Sequence, residues 1–213
     1  MEYIKICGLK RLEEINLCAK NGATAIGFIY NVPSSPRNLE KSEIDRLLKA
    51  IEHKIATVVV SKPRDRTELQ TLVNTVNVDY YQIHSNFNQE VLSSLPEPLK
   101  KRIILALKLN QDNKEEIVQK INEIHDQFFA ILIDNSEGLG NKLDFGLVKE
   151  LIELTKNARV ILAGGIGMEN IESILKELNP YGIDVSSSLE SERGIKDPLK
   201  IKTFLHKVKE ITN

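Results

Sequence analysis

The chain has 213 residues, 41% hydrophobic and 28% charged, with a formal net charge of −1. That length supports a sizeable core, the balanced charge offers no basic field to nucleic acid, and the longest apolar runs, IATVVV and FFAILI, are far too short to cross a bilayer. The start, MEYIKICGLK, lacks the basic segment and long apolar stretch of a secretion signal, and two cysteines without metal or redox spacing point to a reducing, cytoplasmic setting.

From the N-terminus onward, short β-branched runs alternate with segments of helical period. YIKIC (3–7) reads as a strand ending on Cys7. In RLEEINLCAKNG, Leu12, Ile15 and Ala19 fall on one helical face, Cys18 reads as core filling, and Gly22 suits the position just past the helix end. TAIGFIY (24–30) is a second strand, followed by the loop NVPSSPRNL with Arg37, and Ser42 reads as a helix start. KIATVVV (54–60), DYYQIH (79–84, ending on His84) and RIILALK (102–108) are the next three strands. Asp112 reads as the start of a helix with Ile117, Ile121 and Ile124 on one face. FFAILID (128–134) ends on Asp134, RVILAGG (159–165) on Gly164 and Gly165, and YGIDVSS (181–187) carries Asp184 into Ser186, Ser187 and Ser188.

Most of these runs are apolar on both faces, as parallel strands under a helical layer require. Each strand–helix–strand passage is a right-handed unit, and eight of them predict a single-domain (β/α)8 TIM barrel over residues 1–213. A doubly wound open sheet is the alternative, but CGLKRLEE is not the Gly-rich first turn G-x-G-x-x-G.

In a barrel, chemistry gathers where strands end. Cys7, Arg37, His84, Asp134, Gly164, Gly165 and the three serines therefore belong to one opening, although they are scattered in sequence. Each also has a plain structural reading: a buried thiol, a solvated loop charge, a histidine on a loop carbonyl, an Asx turn, a tight glycine turn. Asp184, inside a strand, is a barrel-interior carboxylate that needs partners. A glycine pair after strand 7 with serines after strand 8 suits a phosphate, because backbone N–H groups can converge on it unobstructed.

Six stretches in register settle between these readings. KICGLK, GATAIGFIYNVPSSPRNL, YYQIHS, ILIDNSEGLGNKLDF, ILAGGIGMENI and GIDVSSSLESERGIKD together resemble the phosphoribosylanthranilate isomerase family of tryptophan biosynthesis, from the first strand to the last helix. The resemblance implies a cofactor-free and metal-free Amadori rearrangement of a small phosphorylated sugar–anthranilate substrate, N-(5′-phosphoribosyl)anthranilate. It implies Cys7 as general base and Asp134 as general acid, with Arg37 on the anthranilate. His84 and Asp184 are further substrate contacts. The AGG and DVSSS stretches (Gly164, Gly165, Ser186, Ser187, Ser188) are its phosphate loops. No nucleic-acid or membrane partner is expected, and the chain acts as a monomer or homodimer. The sequence departs from the family pattern at Ser85 and Ser188, where glycine is usual, and at Leu139 and Leu143 in the loop after strand 6. A related sugar-phosphate epimerase is the rival enzyme reading, but it needs metal-binding histidines at several strand ends, and only His84 stands at one. A barrel that binds a phosphorylated ligand without turnover is the rival from another class.

Overall fold

All eight predicted strands form: Tyr3–Cys7 (β1), Ala25–Tyr30 (β2), Ala56–Ser61 (β3), Tyr80–Ile83 (β4), Ile103–Leu107 (β5), Ala130–Asp134 (β6), Val160–Ala163 (β7) and Gly182–Val185 (β8). The structure, a computed structural model, describes residues 1–134 and 144–212. Each strand pairs in parallel with its sequence neighbours, and β1 pairs with both β2 (Lys5 opposite Ala25) and β8 (Lys5 opposite Asp184), which closes the ring. A two-residue strand, Asn38–Leu39, adds to β2 outside it. The helices are Leu12–Lys20 (α1), Lys41–Ala50 (α2), Arg66–Thr75 (α3), Gln89–Ser93 (α4), Glu97–Lys100 (α5), Lys114–Ile124 (α6), Phe145–Leu154 (α7), Ile171–Ser173 (α8, running into a π-turn) and Pro198–Thr212 (α9). The single-domain (β/α)8 barrel expected from the alternation is thus the observed fold.

Alternation along the strands divides the core in two. Outward residues such as Ile6, Phe28, Val59, Ile83, Ile131 and Leu162 meet the helices, where Ile117, Ile121 and Ile124 of α6 are all buried. Inward residues include Ala25, Val58, Ala106, Ala130 and Ala163 beside the larger Ile104, Leu132 and Ile161. The N-terminal end of the barrel is closed by rings, with Tyr80 and Phe129 at 4.0 Å between centroids and the Arg159 guanidinium 5.7 Å from both Phe129 and Tyr181.

Local details differ from the expectations in three places. The buried side of α1 is Glu14, Ile15 and Cys18, with Ala19 only half-buried; Gly22 does take a positive φ past its end. Ser42 lies inside α2, whose start is set by a reciprocal capping box between Glu40 and Glu43. Asp112 precedes the start of α6, because Asn110 and Asn113 bond each other's backbone N–H (2.8 and 3.0 Å) and fix a turn that delays the helix to Lys114. Between β4 and β5, Pro96 and Pro98 divide the connection into two short helices.

Candidate active site

The strand ends enclose a cavity of about 370 Å³ at the C-terminal mouth of the barrel. Cys7, Arg37, His84, Asp134, Gly164, Gly165, Asp184, Ser186 and Ser187 all line it. Nine of the ten residues predicted for the site are brought together. The tenth, Ser188, is absent from this wall: its hydroxyl donates to the Ile166 carbonyl at 2.6 Å and ties the loop after β8 to the loop after β7. Ser85, the other departure near the mouth, donates its hydroxyl to the Pro63 carbonyl and so joins the loops after β3 and β4. Leu139 and Leu143 lie outside the described residues.

Beneath the mouth runs a buried polar chain. Lys5, fully buried and inward-facing on β1, donates to Gln82 Oε1 at 2.9 Å and to Asp184 Oδ2 at 2.7 Å. An ammonium only donates, so it fixes the Gln82 amide with its oxygen toward Lys5. The amide NH2 then faces Asp184 Oδ2 (3.2 Å) and His84 Nε2 (3.0 Å). His84 must accept there, which makes the ring neutral and protonated on Nδ1. Burial pushes the imidazole below its ordinary pKa, against the opposing pull of Asp134. Asp184 has the partner its burial demanded, while its Oδ1 accepts from no described residue.

Burial pushes the Cys7 thiol up, and Lys5 is the largest influence in the opposite direction. Cys18 is fully buried in the core, and burial together with the nearby Glu14 carboxylate pushes its thiol up to about 12. Its reading as core filling holds.

A second cluster stands beside the first. Arg37 is buried, and its Nε and Nη2 grip Glu190 Oε1 and Oε2 at 2.6 and 2.7 Å. Glu190 also accepts from Lys196 Nζ (2.8 Å) and from the Gly194 N–H (2.9 Å). Burial alone would raise this carboxyl, but the bonds from Arg37, Lys196 and Gly194 outweigh it and hold it at about 2. Lys196 continues to Ser186, donating to its carbonyl at 2.9 Å, and Ser186 Oγ donates to the Cys7 carbonyl at 3.1 Å. The arginine stem passes close over Gly8, where φ is +76° and a Cβ would lie 2.5 Å from Arg37 Cδ. Glycine after Cys7 therefore serves both the turn and the arginine. Glu190 and Lys196 were in view in LESERGIKD but carried no assigned role; a buried-charge requirement is visible only once the hairpin Glu190–Glu192 with Ile195–Lys196 folds over the mouth.

Gly164 and Gly165 both have positive φ (85° and 64°), so the chain turns sharply there, with the wall free of side chains. Ser187 opens a short 3₁₀ turn on the neighbouring loop. A loop of backbone without side chains, a forked cation, a thiol and a carboxyl thus share one cavity. Among the described residues no three His, Cys, Asp or Glu side chains are grouped as metal ligands, and no helix is long and apolar enough to cross a membrane.

Comparison with known proteins gives a consistent answer. The family model described as N-(5′-phosphoribosyl)anthranilate (PRA) isomerase matches residues 4–207. An N-(5′-phosphoribosyl)anthranilate isomerase of Aquifex aeolicus is 32% identical, over 98% of this chain and 99% of its own. The crystal structure of phosphoribosyl anthranilate isomerase from Thermotoga maritima superposes with a TM-score of 0.82 at 26% identity, covering 99% of this chain and all of that one. A phosphoribosyl anthranilate isomerase solved with reduced 1-(o-carboxyphenylamino)-1-deoxyribulose 5-phosphate superposes at 0.80 and 25% identity over 99% of this chain.

Proposed function

Because the chain belongs to the phosphoribosylanthranilate isomerase family, and is therefore an isomerase of tryptophan biosynthesis, we propose that it converts N-(5′-phosphoribosyl)anthranilate to 1-(o-carboxyphenylamino)-1-deoxyribulose 5-phosphate with Cys7 as general base and Asp134 as general acid. The observation that carries the assignment is that these two side chains line one cavity from different strands, in company with Arg37, Gly164 and Gly165. General acid–base work needs groups that can reach both ends of the reacting system.

In the proposed sequence, Asp134 as the carboxylic acid protonates the ring oxygen of the furanose. The C1′–O bond breaks and the nitrogen lone pair forms a Schiff base. That acidifies the C2′ hydrogen, which the Cys7 thiolate removes. The C–H electron pair gives an enolamine, and tautomerisation gives the ketone. Arg37 uses two of its five N–H groups on Glu190 and keeps the Nη1–Nη2 edge for the anthranilate carboxylate. Asp184 contributes to substrate binding from the cavity wall. Gly164, Gly165, Ser186 and Ser187 take the phosphate, with Ser188 bracing their loops. Residues 1–213 act as one catalytic domain, in the cytoplasm, with no cofactor.

The test uses substrate made in situ from anthranilate and phosphoribosyl pyrophosphate, followed by the decay of anthranilate-type fluorescence. The wild-type chain should accelerate that decay with no added metal, and should keep doing so in chelator. No acceleration, or activity that a chelator abolishes and one divalent ion restores, would refute the assignment.

A further inference from the structure

Gly27 lies on β2 opposite Cys7 in the strand register. Its backbone is ordinary strand, and no positive φ accounts for the glycine. Space does. A Cβ at this position would lie 2.7 Å from Lys5 Cε, 2.9 Å from Cys7 Sγ and 3.1 Å from Lys5 Nζ. The volume a side chain would fill is where a lysine head and a thiol converge.

Lys5 has three N–H groups to place. Gln82 and Asp184 take two, at 2.9 and 2.7 Å, and the third is left for Cys7, with which the ammonium interacts at close range. The aliphatic stem is enclosed by barrel strands, and the residue is fully buried. It cannot touch a substrate in the cavity and acts only through its neighbours. Isolated burial of an ammonium is costly, so its retention at this depth calls for a role that an apolar residue could not fill.

We propose that Lys5 is a positioning residue for the reaction: clamped by Asp184 and Gln82, its ammonium stabilises the thiolate form of Cys7 against the cost of burial, and the missing side chain of Gly27 is the gap in which the two meet. This rests on the reading of Cys7 as base. The groups facing Cys7 are Tyr3 and Lys5 from its own strand, Arg37 from the loop after β2, Asp184 from β8 and Lys196 from the hairpin beyond. Arg37 and Lys196 share Glu190 and Lys5 is itself paired with Asp184, but it is the Lys5 head that meets the sulfur in the gap beside Gly27. In the transfer step the C2′–H bond breaks and an S–H bond forms. Lys5 keeps all three protons throughout.

The test is the pH dependence of Cys7 alkylation by iodoacetamide, in a Cys18→Ala background so that one thiol remains, alongside the pH profile of kcat/KM. Lys5→Met should raise the alkylation midpoint by about one pH unit or more and lower kcat/KM at neutral pH about 10-fold or more. Gly27→Ala, which keeps the charge but forces the two groups apart, should move both in the same direction by less. If Lys5→Met alone fails to fold, Lys5→Met/Asp184→Asn is compared with Asp184→Asn, and the same rise is expected. An unchanged midpoint in folded protein overturns the inference about Lys5 and leaves the assignment of Cys7 standing. A midpoint that moves while kcat/KM and both limbs of its pH profile stay fixed overturns the assignment of Cys7 as base, and the part of Lys5 in the reaction with it.

Discussion

Two buried ion pairs stand within one active site, and they are built differently. Lys5–Asp184 joins adjacent strands at register partners, deep in the barrel, as a single 2.7 Å contact. Arg37–Glu190 joins two loops 153 residues apart, as a two-pronged fork with Lys196 and a backbone N–H added. The first is held by the sheet: closing the ring brings the two residues together. The second ties its loops together through side chains, alongside the Lys196 bonds to the Ser186 carbonyl and hydroxyl. Strand register thus supplies the charge beneath the reacting thiol, and side-chain chemistry supplies the geometry of the recognition arginine.

The largest effect expected from this contrast is on stability. Glu190→Gln leaves the buried Arg37 and Lys196 cations without their carboxylate and should cost about 3–5 kcal/mol in denaturant unfolding. Replacing both members of the inner pair, Lys5→Met with Asp184→Leu, leaves no orphaned charge and should cost less than Glu190→Gln while abolishing turnover. If the double apolar variant is the less stable of the two, the strands do not hold the inner pair as described.

Acid should find the same outer cluster. The Glu190 carboxyl sits at about 2 in the folded chain, below the ordinary Glu value near 4.3. The folded state therefore binds fewer protons than the unfolded state in this window. Its contribution is fully present above about pH 4.3 and is lost as pH falls through about 2. The contribution is up to about 3 kcal/mol, less where solvent screens the pair. Unfolding free energies of wild type and Glu190→Gln measured from pH 6 to 2 should converge; parallel curves would remove Glu190 as the acid-sensitive group.

Cys7→Ala and Asp134→Asn should each lower kcat at least about 10²-fold with folding intact, whereas Cys18→Ala should be nearly silent. Equal losses at Cys7 and Cys18 would contradict the site. Arg37→Lys replaces a planar fork by a point charge, loosening both the Glu190 grip and the anthranilate edge. KM should rise about 10-fold, with kcat changing less.

The inner pair was partly legible in the sequence and the outer was not, for a physical reason. Period-2 alternation places Tyr3, Lys5 and Cys7 on one face of β1, and Asp184 inside β8 demands a partner. The barrel reading supplies the closure that makes them neighbours. The strand-end residues Cys7, His84 and Asp134 were legible by the same logic. Glu190 and Lys196 sit in a loop hairpin, where no period links sequence position to direction. Their approach to Arg37 depends on a turn at Gly194 and on Asp197, whose carboxylate binds the first N–H groups of α9. Ser188 shows a similar limit: a run of three serines does not say which hydroxyl faces the cavity and which one, as at Ser188, bonds the neighbouring loop. Asp112 and Ser42 were misread because nearby side chains, Asn110 with Asn113 and Glu40 with Glu43, competed for the same backbone groups.

The central claim is that Cys7 and Asp134 form the acid–base pair, and the pH profile of the chemical step tests it most directly. Free Asp and Cys titrate near 3.9 and 8.5, so water favours carboxylate with thiol, the reverse of the form the reaction needs. The two limbs belong to the coupled pair rather than to either group alone. Under conditions where chemistry and not product release limits turnover, kcat against pH should be bell-shaped, and the slow Asp134→Asn variant should lose one limb. A profile that stays flat from about pH 4 to 10, across both titrations, would contradict the account.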